Sequence, residues 1–214
     1  MPHLRSVSVL VFIGTGSRYE TESQAGISHF IEHVYFKGTK KRPTSKEISE
    51  AIESIGGVLN GGTDKELTTY WAKVADQHYP VAVDLLADLL RNSRLDPDDI
   101  EKERQIIIEE INMSLDLPQF KAELLIDGLI WQDQAMGRDV AGSKETVSAI
   151  TRKQLTDYIN RHYLAGNAVI SITGNITPEA ALESISKAFG WWHNHSLPKA
   201  ETTIHNQNRP RLAV

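Results

Sequence analysis

Apolar and polar positions alternate in two different ways along the 214 residues, and each pattern predicts its own type of element. Residues 6–14, SVSVLVFIG, are rich in β-branched side chains and end at a glycine, which predicts a strand. Residues 58–74 predict two more strands around a turn that contains glycine and aspartate, and residues 167–176 predict a fourth. The predicted strands are therefore few and short.

Helical periodicity accounts for most of the remaining chain, and capping residues mark where several helices begin. Thr44 and Glu47 form a capping-box pattern, and Asp96 precedes a proline at the first helical position. Ser23 is the predicted cap of the first helix. We expect helices over about residues 23–38, 44–57, 77–90, 96–115, 120–130, 151–163 and 177–192, with a short one between 137 and 150.

Long helices that mix with a few strands, without strict alternation, are typical of an α+β fold. We expect a largely antiparallel or mixed sheet with helices packed on one face. The length suits one domain over residues 1–192. Residues 193–214 are polar, with scattered prolines and asparagines, and are predicted to be a linker or tail.

Composition and charge argue against several classes of partner and site. The net charge of -5 is spread over mixed signs, which argues against nucleic acid or an anionic membrane as a partner. Cysteine is absent, so any transition metal would have to be held by imidazole and carboxylate groups. No run approaches the roughly 18 apolar residues of a membrane span. Because the N-terminus also lacks a signal-peptide pattern, we expect a cytoplasmic location.

The predicted first helix carries polar residues within an otherwise apolar segment, GISHFIEHVYFKGT. His29, Glu32 and His33 occupy positions i, i+3 and i+4, so they project from one side of a helix. Two imidazoles one turn apart can chelate a metal ion, and the glutamate between them can hold a water molecule on that ion. This order of residues is the inverted zincin signature, H-x-x-E-H. The alternative is an ordinary helix whose histidines are solvated or hydrogen-bonded.

The segment EKERQIIIEEINMSL offers candidates for a further metal ligand. A catalytic zinc usually takes three protein ligands, and without cysteine the third must be Asp, Glu or His. Glu103 and Glu110 lie seven residues apart, so they differ by only about 20° around a helix axis. We expect both on the same side of the helix as Ile106 and Ile107, where an unpaired carboxylate would be costly. Glu109 points away from that side and is expected to be exposed to solvent. Glu110 is therefore the predicted ligand and Glu103 its support, with an ordinary charged surface helix as the alternative.

Other candidate groups near the end of the chain are weaker. His193 and His195 could chelate a metal, but their polar surroundings are more typical of a solvated segment. Trp191 and Trp192 are predicted to close the core at the end of the last helix. No serine lies in a G-x-S-x-G setting, so an α/β-hydrolase has no support.

Several linked segments, in this order, resemble the pitrilysin/insulinase-type zinc metallopeptidases, a family that includes the β subunit of mitochondrial processing peptidase and its bacterial relatives. GSRYETESQAGISHFIEHVYFKGTKKRP is similar to the family's signature segment, and IGGVLNGGTDKELTTYWAKV to the segment after it. EKERQIIIEEI resembles the family's glutamate helix. The resemblance covers nearly the whole of this chain, but only the N-terminal half of the peptidases in that family.

The resemblance implies a role for each candidate residue. The implied roles are zinc binding by His29, His33 and Glu110, general base catalysis by Glu32, support of the site by Glu103, and contact with the substrate backbone by Asn60. The sequence departs from the family at Gly61, where alanine is common.

The activity implied by the resemblance is zinc-dependent hydrolysis of peptides or unfolded protein segments. We expect the substrate to bind as an extended strand against the edge formed by LNGGT. These peptidases are built from two related halves or subunits, so the resemblance also implies a homologous second half or partner subunit. The alternative is a subunit that binds substrate or forms the chamber without performing the chemistry.

Overall fold

The computed structural model describes residues 1–194, 196, 199, 202–205 and 207–212. The strands and helices expected from the sequence are present, with ends that differ by a few residues. The elements are β1 (Ser6–Ile13), α1 (Ile27–Tyr35), α2 (Ser45–Glu53), β2 (Val58–Thr63), β3 (Thr68–Ala75), α3 (Tyr79–Asn92), α4 (Pro97–Leu115), α5 (Pro118–Ile130), α6 (Lys144–Ala149), α7 (Arg152–His162), β4 (Ala168–Gly174) and α8 (Pro178–Phe189).

The strands in the described part of the chain form one four-stranded sheet in the order β2-β3-β1-β4. Each neighbouring pair is antiparallel. In the centre of the sheet, Leu10 of β1 lies opposite Trp71 of β3 on one side and Ser171 of β4 on the other. Among the described strands β2 pairs with β3 alone, so its other side is an edge of the sheet. The predicted α+β fold with an antiparallel sheet is confirmed.

One face of this sheet carries the hydrophobic core. Alternate residues of β1, from Val7 to Ile13, are fully buried on that face, whereas the residues between them are half-buried. Helices α1, α2 and α3 pack against this face and supply Phe30, Ile52 and Leu86, each of them fully buried. Burying a side chain of this size contributes about 1.5–3 kcal/mol. The helices thus cover one face, as predicted.

The first helix begins later than the sequence pattern suggested. Ser23 lies in a short 3-10 turn, and the N-cap of α1 is Gly26 at a φ of 91°. Glycine reaches this left-handed conformation without the steric cost that a Cβ atom imposes. A Cβ atom at Gly26 would also lie 2.4 Å from the carbonyl oxygen of Ala141. The prediction of Ser23 as cap was therefore wrong, because a close crossing of two distant segments sets where α1 starts.

Helix α4 packs against α1 through one buried stripe. Glu103 and Ile107 are buried on this stripe, and Glu109 is exposed, as predicted. Ile106, however, is 44% exposed, so its predicted place on the buried side was wrong. Successive helix residues are about 100° apart, which places Ile106 one step outside the stripe that Ile107 occupies.

The end of α8 and the residues just after it pack against the core. The indole Nε1 of Trp192 donates to the carbonyl oxygen of Tyr163 at 2.8 Å, and its ring stacks on Phe189. His193 is exposed, and His195 lies outside the described residues. The domain boundary between residues 192 and 193 stays a prediction. No helix within the described residues has both the length and the apolar character to cross a membrane.

We expect Gly26→Ala to lower the free energy of unfolding by about 1–3 kcal/mol, because alanine would be held in a left-handed conformation against Ala141. Gly128→Ala is the control. Gly128 lies inside α5, where the nearest atom that a Cβ would meet is 4.0 Å away, and alanine is favoured there by about 0.5–1 kcal/mol. Urea unfolding measures both changes. An unfolding free energy for Gly26→Ala equal to that of the wild type would contradict the account of this crossing.

Candidate active site

Helix α1 is amphipathic, and its two sides have different environments. Its polar side carries His29, Glu32 and His33, which are half-buried. Its apolar side packs into the core and thereby fixes the rotation of the helix. The buried residues of α1 are Ile27, Ser28, Phe30, Ile31, Val34 and Tyr35.

Helix α4 brings Glu110 to the two histidines. The Nε2 atoms of His29 and His33 lie 3.2 Å apart, and Oε2 of Glu110 lies 3.4 Å from the Nε2 of His33 and 3.9 Å from that of His29. Ligand atoms held about 2.0–2.1 Å from one tetrahedral ion lie roughly 3.3 Å apart. Two imidazole nitrogens and one carboxylate oxygen are therefore spaced to fit a zinc ion. This set is the one candidate metal cluster within the described residues.

Glu103 holds the ring of His33 from behind. Its side chain is 4% exposed, and Oε2 accepts a hydrogen bond from Nδ1 of His33 at 3.1 Å. Its other oxygen, Oε1, lies 2.9 Å from Nζ of Lys37. In the neutral form of His33, which is the form that binds a metal, a proton held on Nδ1 leaves Nε2 with a lone pair that faces Glu110. Lys37 was missed in the sequence analysis, although it lies one helical turn after His33, on the same side of the chain.

Burial changes the proton affinities of His29 and Glu32 in opposite directions. Burial, reinforced by the charge of His33, lowers the pKa of His29 to about 4. His29 is therefore neutral at neutral pH, the form in which imidazole binds a metal. Burial also raises the pKa of Glu32, and the hydrogen bond from Thr63 opposes this shift. A carboxylate with a raised pKa is a better proton acceptor near neutral pH.

The surroundings of His33 raise its pKa and those of Glu103 lower its pKa, so both groups are favoured in their charged forms. Burial alone would lower the pKa of His33, but the hydrogen bond to Glu103 and the charges of Glu110 and Glu32 outweigh it and raise this pKa. Burial would likewise raise the pKa of Glu103, but His33 and Lys37 hold it below its usual value. The pair therefore keeps its hydrogen bond despite being largely out of water.

The edge strand β2 passes directly over Glu32. Oγ1 of Thr63 donates to Oε2 of Glu32 at 2.8 Å. A Cβ atom at Gly61 would lie 3.0 Å from Oε1 of Glu32 and 2.8 Å from the ring of Phe36, so glycine leaves room for both side chains. Thr63 was missed in the sequence analysis. Strand alternation places it on the same side as Gly61, and that was the available signal.

Asn60 lies on the exposed side of β2, where its Oδ1 accepts a hydrogen bond from the backbone N–H of Gly61 at 2.8 Å. A cleft of about 290 Å³ opens here beside α1. Its lining residues are Glu32, His33, Phe36, Lys37, Ser49, Glu53, Leu59 and Asn60. Contact between Asn60 and a substrate stays a prediction.

Two family sequence models match the chain. Residues 2–144 match insulinase (peptidase family M16), and residues 149–212 match the peptidase M16 inactive domain. Zinc protease YmxG of Bacillus subtilis is 39% identical over 189 residues, which are 88% of this chain and 46% of that protein. The mitochondrial-processing peptidase subunit beta of Dictyostelium discoideum is 38% identical over 185 residues, 85% of this chain and 39% of that one. The chain thus spans less than half the length of these curated relatives.

Solved structures share the fold. Pitrilysin superposes with a TM-score of 0.86 at 24% identity, over 96% of this chain and 22% of pitrilysin. A protease from Helicobacter pylori also superposes with a TM-score of 0.86, at 23% identity, over 94% of this chain and 48% of its own. At these identities the likeness shows a common architecture.

We expect Glu103→Gln to weaken zinc binding by about 10–100-fold, because His33 loses the carboxylate that orients it. Glu109→Gln is the control, since it removes the same charge from an exposed position on the same helix. Competition with a chelating dye measures both affinities. Equal zinc affinity in the two variants would show that Glu103 does not support the site.

Proposed function

Because the chain belongs to the insulinase family of peptidases, peptidase family M16, we propose that it is the zinc-carrying half of a metalloendopeptidase that hydrolyses peptides or unfolded protein segments. The observation that carries this proposal is the convergence of His29, His33 and Glu110 on one point, with Glu32 on the same helix face. Relatives named as zinc proteases support the same activity.

The proposed roles follow from the geometry. His29, His33 and Glu110 would hold a zinc ion, which when bound would supply Lewis acidity toward a water molecule and the scissile carbonyl. Glu32 accepts a proton from the attacking water and returns it to the leaving amine. Thr63 keeps the Glu32 carboxylate in place through its hydrogen bond to Oε2.

Substrate binding is proposed at the free edge of β2. An extended peptide can add to such an edge through backbone hydrogen bonds. It would then pass beside Glu32, since β2 touches that residue through Thr63 and Gly61. Asn60 is the proposed contact to the peptide backbone. A folded domain offers no free strand, so peptides and unfolded segments are the proposed substrate class.

An exposed apolar surface supports the proposal of a second half. Helix α5 has no buried residue although it is rich in apolar side chains. We call this region, together with the end of α4, the α5 surface. Its exposed large apolar residues are Met113, Leu115, Leu117, Leu125, Ile126 and Ile130. Soluble monomers rarely expose a large apolar patch. Because the relatives extend well beyond the matched region, we propose that a homologous second half or partner subunit covers the α5 surface.

The alternative is a non-catalytic subunit that shapes a chamber or binds substrate. Such a subunit would need neither a half-buried base at Glu32 nor three donors spaced for one ion. Since the chain retains all four side chains in one place, we favour the enzyme.

We expect Glu110→Gln to lose bound zinc, because one of three donors is weakened, and Glu32→Gln to keep zinc and lose hydrolysis. Removing a general base slows a reaction by about 100- to 10,000-fold. Elemental analysis gives the zinc content, and an unfolded peptide substrate with the second half present gives the rate.

Glu109→Gln is the control for both measurements, because this exposed glutamate lies next to Glu110 and should change neither. A wild-type chain without zinc under metal-replete conditions would contradict the proposed enzyme. Full hydrolysis by Glu32→Gln would contradict the proposed base alone.

We expect Ile126→Ser to weaken the association of the chain with a separately produced second half by about 1 kcal/mol or more, because an apolar contact becomes polar. Ile126 is 54% exposed on α5. Leu182→Ser on α8 is the control, since Leu182 is 66% exposed outside the α5 surface. Analytical ultracentrifugation measures both dissociation constants. A larger effect at Leu182 would place the partner elsewhere.

A further inference from the structure

The first turn of α1 receives its cap from a distant carboxylate. Gly26, the N-cap residue, has no side chain to accept hydrogen bonds from the free N–H groups of this turn. Glu20 takes that place: its Oε2 accepts from the backbone N–H of Gly26 and its Oε1 from that of Ser28, both at 2.8 Å. A carboxylate here is also favoured by the positive end of the helix dipole.

Glu20 is itself fixed. It is 5% exposed, and Arg138 donates to its backbone carbonyl oxygen. Next to it, Oγ of Ser28 donates to the hydroxyl of Tyr158 at 3.0 Å, and the same hydroxyl lies 2.9 Å from Oγ1 of Thr15. The carboxylate of Glu20 is therefore held in a fixed position, because the backbone of Glu20 and the side chains around it are hydrogen-bonded to other elements.

The two histidines differ in what holds them. His33 is oriented by Glu103 through its Nδ1 atom. The Nδ1 atom of His29 is buried and has no hydrogen-bond partner within the described residues. His29 also lies in the first turn of a nine-residue helix, the part that frays most readily. Its position therefore depends on the backbone of that turn.

We propose that Glu20 is a positioning residue: by capping α1, it keeps the side chain of His29 in place beside that of His33. The inference rests on the proposed zinc site and adds a residue that touches neither metal nor substrate. Without the hydrogen bonds from Glu20, the first turn of α1 loosens and the Nε2 atom of His29 leaves its position 3.2 Å from the Nε2 atom of His33. Metal affinity and turnover should then fall together, whereas substrate affinity should not.

The test compares Glu20→Gln with Glu22→Gln in the full chain. An amide oxygen can accept from one of the two backbone N–H groups, but its NH₂ group cannot accept from the other. Glu22 is exposed in the adjacent 3-10 turn, so its variant removes the same charge without touching α1. We expect Glu20→Gln to bind zinc about 10-fold more weakly than Glu22→Gln.

A second readout separates positioning from general loosening. The absorption spectrum of the cobalt(II)-substituted chain reports ligand geometry, and it should change in Glu20→Gln but not in Glu22→Gln. With the second half present, kcat should fall while KM stays within about twofold of the wild-type value. Unchanged zinc affinity and spectrum, or a change confined to KM, would overturn the inference.

Glu20→Asp keeps the proposal testable if Glu20→Gln does not fold. Aspartate retains the charge but is one methylene shorter, so it reaches one backbone N–H group, and zinc affinity should be intermediate. Wild-type affinity in Glu20→Asp would overturn the inference. A wild-type chain that binds no zinc would overturn the proposed function and this inference together, whereas equal zinc affinity in Glu20→Gln and Glu22→Gln would overturn this inference alone.

Discussion

Helix α1 alone supplies two imidazoles, and the packing of α4 against it supplies the third donor on which the site depends. Because Ile107 is buried in the core, the rotation of α4 is fixed, and both of its inward carboxylates face α1. Glu103 then meets the back of His33, while Glu110 meets the nitrogens on the open side. The same packing that stabilises the fold therefore sets the spacing of the donors.

Polar groups in this position would be destabilising without partners, since unpaired buried charge costs several kcal/mol. Glu103 is compensated by His33 and Lys37, and Glu32 by Thr63. The loss of water around these groups also tunes their chemistry, because it keeps His29 neutral and raises the pKa of Glu32. The structural cost of burial and the proposed reactivity thus have one physical origin.

The sequence could predict those features of the fold and the site that depend on neighbouring residues. Helical periodicity is a property of neighbouring residues, so it placed Glu110 on the side of α4 that meets the histidines. The start of α1 was wrong, because the crossing of Gly26 with Ala141 involves segments far apart in the chain. Strand alternation indicates the side of β2 on which Thr63 lies, but not its partner Glu32. Glu20 was missed because its bonds to the start of α1 are set by the tertiary fold.

The most direct test of the proposed site is the position of the metal itself, located by anomalous diffraction at the zinc edge from crystals of the chain grown with zinc. We expect one peak about 2.0–2.1 Å from the Nε2 atoms of His29 and His33 and at a similar distance from a carboxylate oxygen of Glu110, with Glu103 outside bonding distance. A peak bonded to Glu103, or zinc bound only elsewhere, would contradict it.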